Sequence, residues 1–294
     1  MVRPLLILIF ISLLLASSCG GKKEIPIEAY YDYDFKLPLS DTVLFEADSV
    51  NYTLKKVSYN SIHDQKVYGL LSIPTDTEKP MPVVILLHGV GDRKTVDYIE
   101  GGIPSFTEAG YAVLRIDVAN HGERKTQNYE VDFTGDYKYW TRDLISQTVF
   151  DLRRSIDFLS TCAEIDPNRI GFLGISLGGF IGTVFCGVDE RVKVPALALT
   201  GGGLNVMFGF DAMDAETRNY LSIIDPINFV DKISPRPLLM INAENDEIVP
   251  PITSKMLFKK AGEPKNIIWY PAKHRNIPLD KTYNDVIEWF NNYL

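Results

Sequence analysis

The residues with the plainest chemical potential in this chain are Gly174-Ile175-Ser176-Leu177-Gly178-Gly179. They follow the apolar run 170–173 and precede a segment of helical spacing that begins near Leu177, so the order predicts a strand, a tight turn and a helix. A serine at the apex of such a turn sits in a strained backbone with its side chain pushed out of the sheet. Glycines two places before and two places after it let strand and helix approach closely. In a chain with 21 Gly the bare pattern is expected by chance roughly 0.08 times, and the flanking elements lower that further. A serine hydroxyl is a poor nucleophile until an imidazole takes its proton. An imidazole of ordinary pKa, ~6.5, can do so at neutral pH and then return the proton to a leaving group. The chain offers four histidines, at 63, 88, 121 and 274; an inert turn serine is the competing reading of Ser176.

Elements able to position such a site recur along the chain. Continuous apolar runs at 82–87, 112–117, 170–175, 196–200, 238–242 and 267–270 have the composition of strands buried on both faces. Segments 51–58 and 65–73 alternate and are separated by the turn-like Ser61-Ile62-His63-Asp64, which predicts an antiparallel hairpin. Helical spacing at 143–160, 177–186, 252–261 and 282–292 supplies the crossovers. The expected class is α/β, with a mostly parallel central sheet, an N-terminal antiparallel hairpin and helices on both faces. Residues 204–233 lack a buried-strand pattern and carry Met207, Phe208, Phe210 and Met213. They are a candidate lid, with a plain structural excursion as the alternative.

With these residues in view, positions 50–294 resemble the α/β-hydrolase superfamily, particularly its dienelactone-hydrolase-like and acetyl-esterase-like branches. The resemblance implies the α/β-hydrolase fold and the chain order nucleophile, acid, histidine. On that order Ser176 is the nucleophile. The strand 238–242 runs into Ala243-Glu244-Asn245-Asp246-Glu247-Ile248-Val249-Pro250, similar to the family's acid loop, which gives Asp246 the acid position with Glu244 as rival. The strand 267–270 is followed by Pro271-Ala272-Lys273-His274, so His274 takes the base position. The family's oxyanion hole maps onto the backbone N–H of Leu177 and onto Leu87-His88-Gly89-Val90-Gly91, where the Val90 amide is assigned, Gly91 is next, and His88 is read as a packed structural residue. The segment 117–124 resembles a turn at the sheet's carboxyl edge; His121, Glu123 and Arg124 could line the substrate cleft or simply stabilise the turn. Tyr137, Tyr139 and Trp140 could stack on sugar rings or pack a helix entry.

Thirty Lys plus Arg face 38 Asp plus Glu, a net charge of −8, and no basic block could neutralise a run of phosphates, so nucleic acid is not an expected partner. No grouping has metal-ligand spacing and no Gly-rich dinucleotide or phosphate loop is present, so no metal or cofactor is expected. At the other end of the chain, Arg3 precedes the apolar run 5–16, shorter than the ~20 residues a spanning helix needs. Leu15-Ala16-Ser17-Ser18-Cys19-Gly20 then resembles the lipobox of bacterial lipoproteins. That implies cleavage before Cys19, lipid on its thiol, and a protein anchored in the bacterial cell envelope, with Gly20 favouring the outer membrane. The expected division is signal peptide 1–18, tether and N-terminal extension 19–49, and hydrolase domain 50–294. Cys162 and Cys186 could pair or stand as buried thiols. The leading functional expectation is a serine hydrolase cleaving carboxylic esters through an acyl-enzyme, with deacetylation of glycans as the substrate class. The alternatives are a peptidase of the prolyl-oligopeptidase type, for which residues 24–80 are too few to form a propeller, and a non-catalytic surface-binding lipoprotein.

Overall fold

A computed structural model describes residues 25–209 and 214–294. The expected signal peptide, Cys19 and the tether up to residue 24, together with Phe210 and Met213 of the candidate lid, lie outside the described residues. Residues 25–30 fall outside the main unit, and the fold below concerns Tyr31–Leu294.

Nine strands form one sheet in the order β1-β2-β3-β5-β4-β6-β7-β8-β9: β1 Thr42–Asp48, β2 Tyr52–Asn60, β3 Lys66–Pro74, β4 Met81–Leu87, β5 Ala112–Ile116, β6 Ile165–Ile175, β7 Val194–Ala198, β8 Leu238–Ala243 and β9 Lys265–Tyr270. The pairs β1·β2, β2·β3 and β3·β5 are antiparallel, and every pairing from β5 through β4 to β9 is parallel. The strands that read as unbroken apolar runs are the buried ones: all six residues of β8 and all five of β5 and of β7 are buried. Crossover helices cover both faces, as parallel pairing requires. On one face α1 (Asp97–Glu100), α2 (Gly102–Glu108) and the C-terminal helix 279–293 pack Ile99, Ile103, Phe106, Tyr283, Val286 and Phe290 against Val84, Leu173 and Ala196 of the sheet. On the other lie α3 (Lys138–Leu159) and α4 (Leu177–Val188), the latter so close that a Cβ on Gly182 would come within 2.1 Å of the Phe172 ring. The later helices are α5 (Leu204–Phe208), α6 (Ala215–Ser222), α7 (Pro251–Lys260) and α8 (Leu279–Tyr293).

The sheet starts earlier than the expected boundary at residue 50, because β1 pairs along β2 from Thr42↔Ser58 to Asp48↔Thr53. As a solvated edge strand it exposes nearly every side chain, so it has no buried alternation to betray it. Strand β7 ends at Ala198 rather than residue 200, since Leu199 turns into positive φ (52°). Among its described residues the excursion 204–233 contains α5, α6 and the short 3-10 turns Pro226–Asn228 and Val230–Lys232. It is stapled at its base by the buried Asp225 carboxylate, which accepts from the amides of Gly203 and Leu204 at 2.8 Å each and of Ile227 at 3.1 Å. Cys162 and Cys186 are separate thiols; burial pushes Cys186 up to about 12. Among the described residues no helix is long and apolar enough to cross a membrane.

Candidate active site

Strands β4 and β6 are neighbours whose onward connections diverge, β4 leading out to β5 on one side and β6 to β7 on the other. Such a switch point leaves a crevice beyond the carboxyl ends of the strands. Ser176 stands there, between the end of β6 and the start of α4, with φ 56° and ψ −119°. This is a strained conformation for a residue with a side chain. Two glycines make it attainable. A Cβ on Gly174 would lie 2.2 Å from the Gly178 carbonyl oxygen, and one on Gly178 would lie 2.3 Å from the carbonyl oxygen of Leu87.

The ends of β8 and β9 bring the other two predicted residues to the same place. His274 Nε2 is 3.0 Å from Ser176 Oγ, and its Nδ1 is 2.7 Å from Asp246 Oδ2. The second carboxylate oxygen of Asp246 accepts from the amides of Ile248 (2.9 Å) and Val249 (2.7 Å), which fixes the direction in which Oδ2 points. Asp246 and His274 are both buried. Glu244, the rival acid, is solvent-exposed. Glu247, which sequence reasoning did not single out, reaches the His274 backbone N–H at 3.4 Å.

A cavity of about 170 Å³ opens over Ser176, walled by Val90, Tyr98, Ile248, His274 and Ile277. Among the described residues, none of those lining it comes from 204–233. The two amides expected to face it are unpaired: among the described residues neither Val90 N–H nor Leu177 N–H has a hydrogen-bond partner. Leu177 is the first residue of α4, where helix geometry itself leaves the amide unpaired. The peptide that carries the Val90 N–H has its carbonyl, Gly89 O, held by His88 Nδ1–H at 2.7 Å, while His88 Nε2 accepts from Val118 N–H at 3.0 Å. His88 is fully buried, and desolvation pushes it down to about 4 despite the opposing bond to Gly89 and the nearby Asp117 carboxylate. It is therefore neutral, with the proton on Nδ1.

The candidate substrate residues fall differently. Arg124 pairs with the buried Asp151 of α3 at 2.6 Å and is not among the described residues that line the cavity over Ser176. Its guanidinium is drawn to the charge that α3 buries. His121 Nδ1–H donates to Ala119 O at 3.0 Å and Nε2 accepts from Gly91 N–H at 3.1 Å, so both ring nitrogens serve the loop, although the ring also borders a neighbouring cavity of about 360 Å³. Glu123 bridges Lys94 (2.5 Å) and Lys56 (2.7 Å). Tyr137 and Trp140 pack around Tyr129, and the Tyr139 hydroxyl donates to Glu216 of α6. Among the described residues no cluster of His, Cys, Asp and Glu could hold a metal ion.

A family model described as the alpha/beta hydrolase fold matches residues 82–221. The acetyl esterase Axe7A of Xylanibacter ruminicola is 24% identical over 269 residues, 83% of this chain and 60% of that protein. The chain spans about half the length of the curated relatives it matches. Among solved structures, an acetyl xylan esterase from Paenibacillus sp. R4 superposes with a TM-score of 0.75 at 19% identity over 93% of this chain and 96% of that one. A glucuronoyl esterase from Solibacter usitatus gives 0.64 at 15% identity over 90% of each.

Proposed function

The chain has the α/β-hydrolase fold, and from that premise we propose that it is a serine hydrolase of carboxylic esters working through an acyl-enzyme. The observation that carries this reading is the unbroken line Ser176 Oγ, His274, Asp246, at 3.0 and 2.7 Å, beside two amides that nothing else occupies. Ser176 Oγ attacks the ester carbonyl carbon as its proton passes to His274 Nε2. Asp246 holds the ring by Nδ1–H and stabilises the imidazolium. The carbonyl oxygen becomes an oxyanion, which the N–H groups of Val90 and Leu177 receive; a preorganised donor of this kind is worth ~3 kcal/mol. The intermediate collapses, the bond to the alkoxy oxygen breaks, and that oxygen takes the proton from Nε2. Water then attacks the acyl carbon, giving its proton to Nε2, and Ser176 leaves with the proton returned. No step needs a metal or a redox cofactor.

Acetyl esters of glycans are the proposed substrate class, in line with the acetyl esterase and acetyl xylan esterase among the similar proteins. The lipid anchor at Cys19 remains part of the proposal for where the enzyme works; Cys19→Ala should move the protein from the membrane to the soluble fraction, and an unchanged distribution removes that element. The chemistry is tested by Ser176→Ala, expected to lower turnover of p-nitrophenyl acetate by at least ~10⁴-fold. Turnover within tenfold of wild type removes Ser176 from the reaction.

A further inference from the structure

Three consecutive amides, those of Gly89, Val90 and Gly91, follow the end of β4 next to Ser176, where a Cβ on Gly89 would sit 3.3 Å from Ser176 Cβ. The outer two are taken. Gly89 N–H donates to Tyr98 Oη at 2.8 Å, and Gly91 N–H donates to His121 Nε2 at 3.1 Å. Only the middle amide is left open.

Resting on the reading of Ser176 as nucleophile, we infer that Tyr98 is a positioning residue for the oxyanion donor, and that with His121 it brackets Val90 so that, of these three amides, the Val90 N–H alone is presented. The bonding leaves no ambiguity about protons. Gly89 N–H can only donate, so the phenol oxygen accepts there and its own hydrogen goes to Asp92 Oδ2, 2.8 Å away. A hydroxyl that donates to a carboxylate is a better acceptor on its other side, and Asp92 therefore strengthens the hold on Gly89. The anchor is itself tied to the core, because the Tyr283 hydroxyl of α8 donates to the Tyr98 carbonyl. On the other flank His121 Nδ1–H is spent on Ala119 O, which leaves Nε2 bare to accept.

The consequence for the reaction is directional. The gain from an oxyanion donor depends on its aim when charge develops, and a misplacement of ~1 Å costs about 100-fold. Gly89 has no side chain to pack and Val90 is nearly half exposed, so packing alone cannot fix this loop. The side chains of His88, Tyr98 and His121 do so through three hydrogen bonds, to Gly89 O, Gly89 N–H and Gly91 N–H, on either side of the Val90 N–H. Tyr98 and Asp92 also border the cavity over Ser176, so a plain wall role is the rival explanation, and the two separate in kinetics.

Tyr98→Phe keeps the ring and removes only the hydroxyl. With p-nitrophenyl acetate, kcat should fall about 10- to 100-fold while KM stays within about twofold. The inhibition constant of a trifluoromethyl ketone, which forms the tetrahedral adduct, should rise by the factor by which kcat/KM falls. An unchanged kcat, or a raised KM alone, overturns the inference and leaves Tyr98 as a wall. Should Tyr98→Phe not fold, His121→Leu frees the Gly91 amide and is read the same way, with recovery expected in His121→Gln, whose side-chain carbonyl can accept. A wild-type kcat in His121→Leu overturns the bracket. Wild-type protein and Ser176→Ala run alongside: absence of Ser176-dependent turnover overturns the site reading and this inference together, whereas normal wild-type turnover with an unaffected Tyr98→Phe overturns the inference alone.

Discussion

His88 shows how one side chain can serve both the stability and the chemistry of this site. It has no solvent exposure, and both ring nitrogens are committed in the neutral form. A proton on Nε2 would break the bond from Val118 and place a charge in the core. Burial holds the folded pKa near 4, below the ~6.5 of an unfolded chain. Between those values the unfolded state binds more protons, so stability rises with pH there and is lost as pH falls from ~6.5 to ~4, by on the order of 3 kcal/mol. Urea midpoints measured across this window should drop in the wild type and drop distinctly less in His88→Gln; equal slopes in both proteins would show that His88 does not carry the effect. At this scale the sequence disclosed Ser176, Asp246 and His274 because they recur in a fixed order beside recognisable strands. It did not disclose Tyr98, Asp92 or Glu247. Those act through contacts set by loop shape, and nothing in their spacing marks them. The partner of Arg124 was not legible either, because an arginine in a turn near a sheet edge gives no sign that Asp151 lies buried one helix away.

The turn at Ser176 is the element on which the geometry depends, and its glycines differ in what they touch. A methyl on Gly178 would meet the backbone carbonyl oxygens of Leu87 (2.3 Å) and His88 (2.7 Å), whereas the three atoms nearest to one on Gly182 all belong to the Phe172 ring. Backbone cannot step aside, and here it is the same backbone that leads to the Val90 amide. Gly178→Ala is therefore expected to lower kcat/KM by at least about 100-fold and to destabilise by ~2–3 kcal/mol. Gly182→Ala should cost comparable stability with kcat/KM within about fivefold, since Phe172 can shift in its packing. Matched activity losses in the two variants would mean that the close approach of strand and helix has no special bearing on the site. Central strands were legible because burial on both faces forces an apolar run. Strand β1 and the paired short helices α1 and α2 were not. The first is solvated, and the second are too brief to show a helical period.

Across the whole molecule, the sheet delivers Ser176, Asp246, His274 and the Val90 loop from the ends of β6, β8, β9 and β4 to one edge. Residues ahead of position 50 pack on α3 and on the 204–233 excursion. Tyr31 is fully buried and its hydroxyl donates to Ile223 O at 2.6 Å. Tyr33 bonds Asp157 at 2.8 Å, and the buried Arg154 donates to Leu37 O at 2.8 Å. A chain beginning at residue 51 removes these partners and uncovers the edge of β2, an invitation to aggregation. It should melt at least ~10 °C lower than one beginning at Tyr31 or fail to stay soluble; equal melting temperatures would make the first strand dispensable. The domain therefore extends further towards the N-terminus than alternation alone could indicate, because what precedes β2 packs through single aromatic and arginine side chains and not through a periodic face. The central claim, an activated serine at position 176, is tested most directly by a fluorophosphonate probe followed by peptide mass spectrometry. One adduct per chain is expected, on the peptide containing Ser176, at a rate that collapses in His274→Ala; an unlabelled Ser176, or labelling indifferent to His274, would contradict it.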